Sequence, residues 1–204
     1  MIAIIDYGVG NLFSLQSSFA AIGKQAAVTS DPEVIASAER IILPGVGAFE
    51  DAAEKLRATG MADIVKSEAA KGKPVMGICL GMQLLLDKSY EYGEHEGLGL
   101  IHGSVKPIAD VIDKGLKIPH IGWNRLIIKK QSPLFKYLKD GDCVYFVHSY
   151  YAADCEDVTS TAEYSAELTA SIERGNVYGC QFHPEKSGDV GLNILRAFCE
   201  IKNN

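Results

Sequence analysis

Residues 73–87 read KPVMGICLGMQLLLD, and their local pattern decides the fold. The first part, Pro74 to Cys79, is a short apolar run of the kind found in a strand buried on both faces. The second part, Gly81 to Tyr90, predicts a helix. Between them stands Gly77-Ile78-Cys79-Leu80-Gly81, a cysteine flanked at two residues' distance by glycines. A tight turn from a central strand into a helix lifts its middle side chain clear of the sheet. Glycines on either side let neighbouring backbone approach. This is the logic of a nucleophile elbow with Cys in place of Ser. An inert packing cysteine in a glycine-rich bend reads equally well from these residues alone.

Upstream, the same alternation repeats. "IAIID" (2–6), "QAAVT" (25–29) and "RIILPG" (40–45) are strand-like. Leu12, Leu15, Phe19 and Ile22 recur at helical spacing, with Gly23 as a stop. Asp31 caps a helix with Pro32 in its first turn, and 48–60 and 61–72 read as two more helices. Strand and helix alternating to about residue 90 imply parallel strands joined by right-handed crossovers. Beyond that, 98–108, 117–129, 143–153 and 168–183 are strand-like, "ERGN" (173–176) turns a hairpin, and 188–201 is a closing amphipathic helix. The expectation is a three-layer α/β fold, a mostly parallel central sheet flanked by helices, with antiparallel additions in the C-terminal half. It forms one domain over residues 1–204.

Composition narrows the function classes. The net charge of −6 gives no support for a nucleic-acid partner. No apolar run approaches a membrane span, and the N-terminus reads as a first strand rather than a signal peptide. Five cysteines without C-x-x-C pairing point to free thiols in the cytoplasm. Cys143, Cys180 and Cys199 sit in apolar stretches and read as core; Cys155 reads as more exposed. No metal and no cofactor is expected.

A nucleophilic cysteine needs a base, and the base an orienting group. Of the five histidines, His95 and His102 lie in polar loop-like stretches. His120 reads as structural, and His148 ends a strand that could reach a cleft. His183 stands in "GCQFHPEKS" (179–187). Two residues on is Glu185, which along an extended segment projects to the same side. That pairs an imidazole with a carboxylate able to fix its tautomer.

"GICLGMQLL" together with "QFHPEKS" resembles the class I, triad-type glutamine amidotransferases. "IIDYGVGNL" (4–12), "ILPGVGAF" (42–49), "PHIGWN" (119–124) and "YFVHSYY" (145–151) resemble, within that class, the family of glutaminase subunits of imidazole glycerol phosphate synthase. The likeness runs from Ile4 to Ser187. It implies a Cys79–His183–Glu185 triad hydrolysing glutamine through a thioester, with ammonia passed to a cyclase subunit built as a (β/α)8 barrel, in a heterodimer. It makes imidazole glycerol phosphate and an aminoimidazole carboxamide ribotide the products of histidine biosynthesis. It implies an oxyanion hole from Leu80 and from Val46 or Gly47, and substrate contacts from Gln83, Gly47, His148, Ser149 and Tyr150. The partner face would carry Trp123, Asn11 and Ser14. The helix N-terminus after Cys79 is expected to add positive potential. Alternatives are the glutaminase of another amidotransferase, such as pyridoxal phosphate synthase, and a non-catalytic thiol-sensing or regulatory domain. Residues 91–96 and 154–171 carry no usable motif.

Overall fold

The computed structural model describes residues 1–202. Four strands and five helices alternate first: β1 (Ile2–Ile5), α1 (Leu12–Ala21), β2 (Ala26–Thr29), α2 (Pro32–Ser37), β3 (Arg40–Leu43), α3 (Phe49–Ala58), α4 (Met61–Ala70), β4 (Val75–Ile78) and α5 (Leu80–Leu84). Ten strands follow: β5 (Lys88–Ser89), β6 (His95–Glu96), β7 (Ser104–Pro107), β8 (His120–Arg125), β9 (Ile127–Ile128), β10 (Cys143–His148), β11 (Tyr150–Ala153), β12 (Val158–Glu163), β13 (Glu167–Arg174) and β14 (Val177–Cys180). Helix α6 (Gly188–Glu200) closes the chain.

The main sheet has the order β2-β1-β3-β4-β14-β13-β12-β9. Its first five strands are parallel, and β13, β12 and β9 add antiparallel. The expected architecture is therefore present, including the tight hairpin in which Arg174 pairs Val177 and Gly175 takes φ +61°. Strand β1 shows how the layers arise. Ala3 and Ile5 face a core with Ile35, Phe49, Leu56 and Val65 from α2–α4. Ile2 and Ile4 face another with Leu15 and Phe19 of α1 and Ile194, Leu195 and Phe198 of α6. Alternation along the strand feeds two apolar cores, one on each face.

Three readings are corrected. The helix expected through Tyr90 stops at Leu84, because the segment Gly97–Ile101 captures its next carbonyls: Leu98 N–H donates to Leu84 O, Leu100 N–H to Leu85 O and Gly99 N–H to Leu86 O. A side chain at Gly97 would collide with Leu86 O at 2.1 Å, so only glycine permits this approach. With five residues, α5 has little macrodipole, and the expected field from its N-terminus is weak. Cys143, read as core, is exposed at the start of β10, whereas Cys180 is buried.

Candidate active site

Strands β3, β4 and β14 are adjacent and parallel, and the chain segments leaving their C-terminal ends meet in one cleft. Such an edge is where open α/β sheets hold their ligands. The segment after β4 is the elbow. Cys79 holds φ 55° and ψ −114°, a conformation costly for a residue with a Cβ. Two glycines make it possible. A Cβ on Gly81 would lie 1.9 Å from Leu43 O, and one on Gly77 would lie 2.5 Å from Gly81 O. The backbone of α5 thus rests directly on β3 and β4, and the cysteine is carried outward at the turn.

After β14 comes His183. Its Nδ1 lies 2.8 Å from Glu185 Oε1, and both side chains are buried. The link is made across a 3₁₀ turn, Pro184–Lys186, rather than along the extended segment expected. An ionised carboxylate only accepts, so Nδ1 carries the donated proton and Nε2 points away from Glu185. Nε2 is buried with no hydrogen-bond partner among the described residues. His183 and Cys79 line the same cleft. Burial opposes the charged imidazole, but the neighbouring Cys79 and Glu185 outweigh it and raise the His183 pKa to about 9.

The third segment is Pro44–Gly47, after β3. Its start is held: the Tyr7 hydroxyl donates to Pro44 O at 2.7 Å, and a Cβ on Gly45 would meet Gly81 N at 2.7 Å. Its end is free. Gly47 adopts φ +94° with open space around it, and Val46 is half exposed. The backbone N–H groups of Val46, Gly47 and Leu80 donate to no protein acceptor among the described residues.

The cleft, about 520 Å³, is lined by Val46, Gly47, Cys79, Leu80, Gln83, His148, Ser149, Tyr150 and His183. The expected nucleophile and base and every expected oxyanion and substrate-contacting residue therefore face one space, and Glu185 stands behind His183 outside the lining. Three further lining residues with polar groups, Glu91, Tyr92 and Lys186, went unread in the sequence. Among the described residues, Glu91 is the only carboxylate in the lining. One of its oxygens caps the N–H of Phe49 at 2.7 Å, and burial raises its pKa. Its neighbour Tyr92 packs edge-on against Tyr150. Lys186 forms part of the wall, its ammonium 5.9 Å from the Tyr145 ring centre.

A directed hydrogen-bond chain runs behind the cleft. His148 Nδ1 lies 2.8 Å from Tyr150 O, and a carbonyl can only accept, so Nδ1 donates and Nε2 must accept. His120 Nδ1 therefore donates to His148 Nε2 at 2.9 Å, and Asn124 Nδ2 donates to His120 Nε2 at 3.2 Å. Burial, reinforced by His120 and His183 against the pull of the Tyr150 carbonyl, lowers the His148 pKa to about 4. Both histidines are thus neutral in fixed tautomers. Tyr150 O also accepts from Gln83 Nε2 at 3.2 Å, and the same nitrogen donates to Gln181 Oε1 at 2.9 Å. Gln83, which could have been a partly exposed helix residue, is buried.

Trp123 lies outside this cleft. It is 59% exposed on β8, next to Ile121 on the same outward face, while His120 and Asn124 point the other way. It meets Tyr145 edge-on and borders Gly188. Gly188 also lines a groove with Phe13 and Ser14, so Ser14 and Trp123 border one face. Phe13 is 80% exposed.

Comparison with known proteins shows the family of the chain. The chain is 52% identical over 203 residues to the imidazole glycerol phosphate synthase subunit HisH of Caldanaerobacter subterraneus subsp. tengcongensis, covering 98% of each. It is 48% identical over 204 residues to the protein of that name from Wolinella succinogenes, covering 98% of this chain and 100% of the other. Among solved structures, PurLQS from Thermotoga maritima matches with TM-score 0.76 at 21% identity, over 97% of this chain and 96% of that one. A glutamine amidotransferase crystal structure matches with TM-score 0.75 at 19% identity, over 98% and 100%. The class I glutamine amidotransferase family model matches residues 3–201, and the chain belongs to that family.

Proposed function

We propose that this chain is the glutaminase subunit of an imidazole glycerol phosphate synthase, hydrolysing glutamine to glutamate and ammonia for a cyclase subunit in histidine biosynthesis. The near-full-length relatives are named imidazole glycerol phosphate synthase subunit HisH. The observation that carries the chemistry is the buried, unpartnered Nε2 of His183 beside Cys79, with Nδ1 tied to Glu185.

The reaction follows from those groups. The Cys79 thiol passes its proton to His183 Nε2, and the sulfur attacks the side-chain amide carbon of glutamine. The carbonyl oxygen takes up the electron pair and is held by the free N–H of Leu80 and one from Val46 or Gly47. As the tetrahedral adduct collapses, His183 Nε2 gives its proton to the departing nitrogen, and ammonia leaves. The γ-glutamyl thioester remains. His183 then takes a proton from water, which attacks the thioester carbon and releases glutamate and the thiol. Glu185 keeps the imidazole in one tautomer and stabilises its charged form. The α-ammonium group of glutamine needs a negative partner, and Glu91 is the one carboxylate that lines the cleft among the described residues. Both N–H groups of Gln83 are spent on Tyr150 O and Gln181 Oε1, so only its oxygen is open to substrate.

The partner would be a (β/α)8-barrel cyclase in a heterodimer, docked on the face of Trp123, Asn11 and Ser14. An exposed tryptophan with exposed Ile121 and Phe13 nearby suits a buried anchor in a protein interface. No described helix is long and apolar enough to cross a membrane. The test is ammonia release from glutamine by the purified chain, alone and with a cyclase subunit and its ribonucleotide. Stimulation by that ribonucleotide supports the assignment. Stimulation only by a pyridoxal phosphate synthase partner would assign the chain to that system instead.

A further inference from the structure

We propose that Gln181 acts directly on the nucleophile, its side-chain N–H donating to the Cys79 sulfur and favouring the thiolate. The inference rests on the reading of Cys79 as the attacking group. Gln181 follows β14 and is fully buried. Its backbone N–H is fixed to Ala170 O at 2.8 Å. Its Nε2 lies 3.7 Å from Cys79 Sγ, within reach of a sulfur acceptor.

The direction of that bond is forced. Tyr150 O accepts from Gln83, so Gln83 presents its nitrogen toward it, and that same nitrogen meets Gln181. Gln181 must answer with Oε1, which leaves Nε2 for the sulfur. His148 donates to the same Tyr150 carbonyl and is itself held as an acceptor by His120. No group in this chain can reverse without stranding a buried donor or acceptor, which is costly. The sulfur therefore faces a donor, never the amide oxygen. A donor hydrogen-bonded to the charged form of an acid favours that form. During attack the sulfur's charge passes into the new S–C bond and onto the substrate oxygen, and Gln181 itself neither gains nor loses a proton.

The test is the pH dependence of Cys79 alkylation by iodoacetamide, read by mass spectrometry, which needs no glutamine. Exposed Cys143 serves as the internal reference. The titratable groups facing Cys79 are His183, Tyr7 and Cys180, with Glu91, Tyr92, His148, Tyr150 and Lys186 on the cleft wall; none is changed. In Gln181→Met, similar in volume but without a donor, the midpoint should rise by about one pH unit, a roughly tenfold loss of thiolate at a pH below both midpoints. Gln181→Glu keeps the oxygen that Gln83 needs but sets another against the sulfur, and should raise the midpoint further. Should neither fold, Gln83→Met carries the test, since it frees the Gln181 amide to turn and should raise the midpoint by less. An unchanged Cys79 midpoint in any folded variant overturns the proposal, even if glutamine hydrolysis is lost. If the shift appears but the wild-type chain with its cyclase releases no ammonia, the glutaminase reading fails while the thiolate contact stands.

Discussion

His183 Nδ1 and Glu185 Oε1 stand 2.8 Å apart with both side chains nearly sealed from solvent. A buried carboxylate in that place orients the imidazole and offsets its charge, but it does not itself move the reaction's protons. Glu185→Gln should therefore lower kcat for glutamine hydrolysis less than His183→Ala, by roughly 10⁴-fold or less. Steady-state kinetics of the two variants in the assembled enzyme provides the check. A Glu185→Gln enzyme with wild-type kcat removes that residue from the triad.

The same pair makes stability depend on pH. Burial disfavours the His183 imidazolium, but Cys79 and Glu185 raise its pKa to about 9, above the ordinary value of 6.5. A raised pKa means that folding binds the proton more tightly, so the added stability is fully present below pH 6.5 and is lost as pH climbs through 9. Glu185→Gln removes part of that gain. The difference in denaturation midpoint between wild type and Glu185→Gln should be largest near pH 6 and shrink toward pH 9.5. A difference that grows with pH contradicts the pairing.

Selective chemistry should single out Cys79. A diazo-ketone analogue of glutamine enters by recognition, so it should label Cys79 and leave Cys143 unmodified although Cys143 is the exposed thiol. Cys79→Ala should abolish hydrolysis of glutamine while synthesis from added ammonia in the complex persists. Peptide mass spectrometry that finds the analogue on Cys180 or Cys143 refutes the assignment.

How far these residues could be read beforehand depends on where their roles come from. Cys79 and His183 announce themselves locally, because an elbow needs Gly77 and Gly81 and because His183 and Glu185 are neighbours in the chain. The parallel half was legible for a similar reason: Ile2–Ile5 and 41–43 are buried on both faces, so their apolar runs are unbroken. Glu91 was not legible, since it stands on an irregular loop and gains its role only by reaching the cleft and the N–H of Phe49. Gln181 sat in a quoted motif without an assignment, because the sulfur and Gln83 reach it from other segments. The helix overrun at Leu85–Tyr90 has the same origin: local apolar residues favour a helix, and the Gly97–Ile101 segment takes its carbonyls.

Glu91 leads to a further expectation. If its carboxylate holds the substrate's α-ammonium group, Glu91→Gln should raise KM for glutamine by roughly 10- to 100-fold, the worth of a hydrogen bond to a charged group, with a smaller effect on kcat. The amide can still accept the cap from Phe49, so the loop is retained. Kinetics with glutamine and with an analogue lacking the α-amino group form the test. The analogue should be hydrolysed equally by both enzymes, and a similar loss for both substrates would show that the defect lies in the loop.

The Pro44–Gly47 segment sets up the last prediction. Tyr7 and Gly81 fix its first half, whereas Val46 and Gly47 are unpinned. A donor carried on the free half can be lost or gained by a rotation of one peptide unit, and one oxyanion donor is worth roughly 100- to 1000-fold in rate. The isolated chain should hydrolyse glutamine slowly, and docking of the cyclase with its nucleotide should raise the rate by up to that factor. Trp123→Ala removes an exposed side chain that touches no cleft residue of the triad. It should weaken docking by about 2 kcal/mol or more if it is an anchor, and leave the basal rate unchanged. Glutaminase rate measured against cyclase concentration, with and without nucleotide, separates these effects: Trp123→Ala should shift the half-saturating concentration and not the starting rate. A chain fully active alone and indifferent to cyclase refutes the coupling and leaves a free-standing glutaminase.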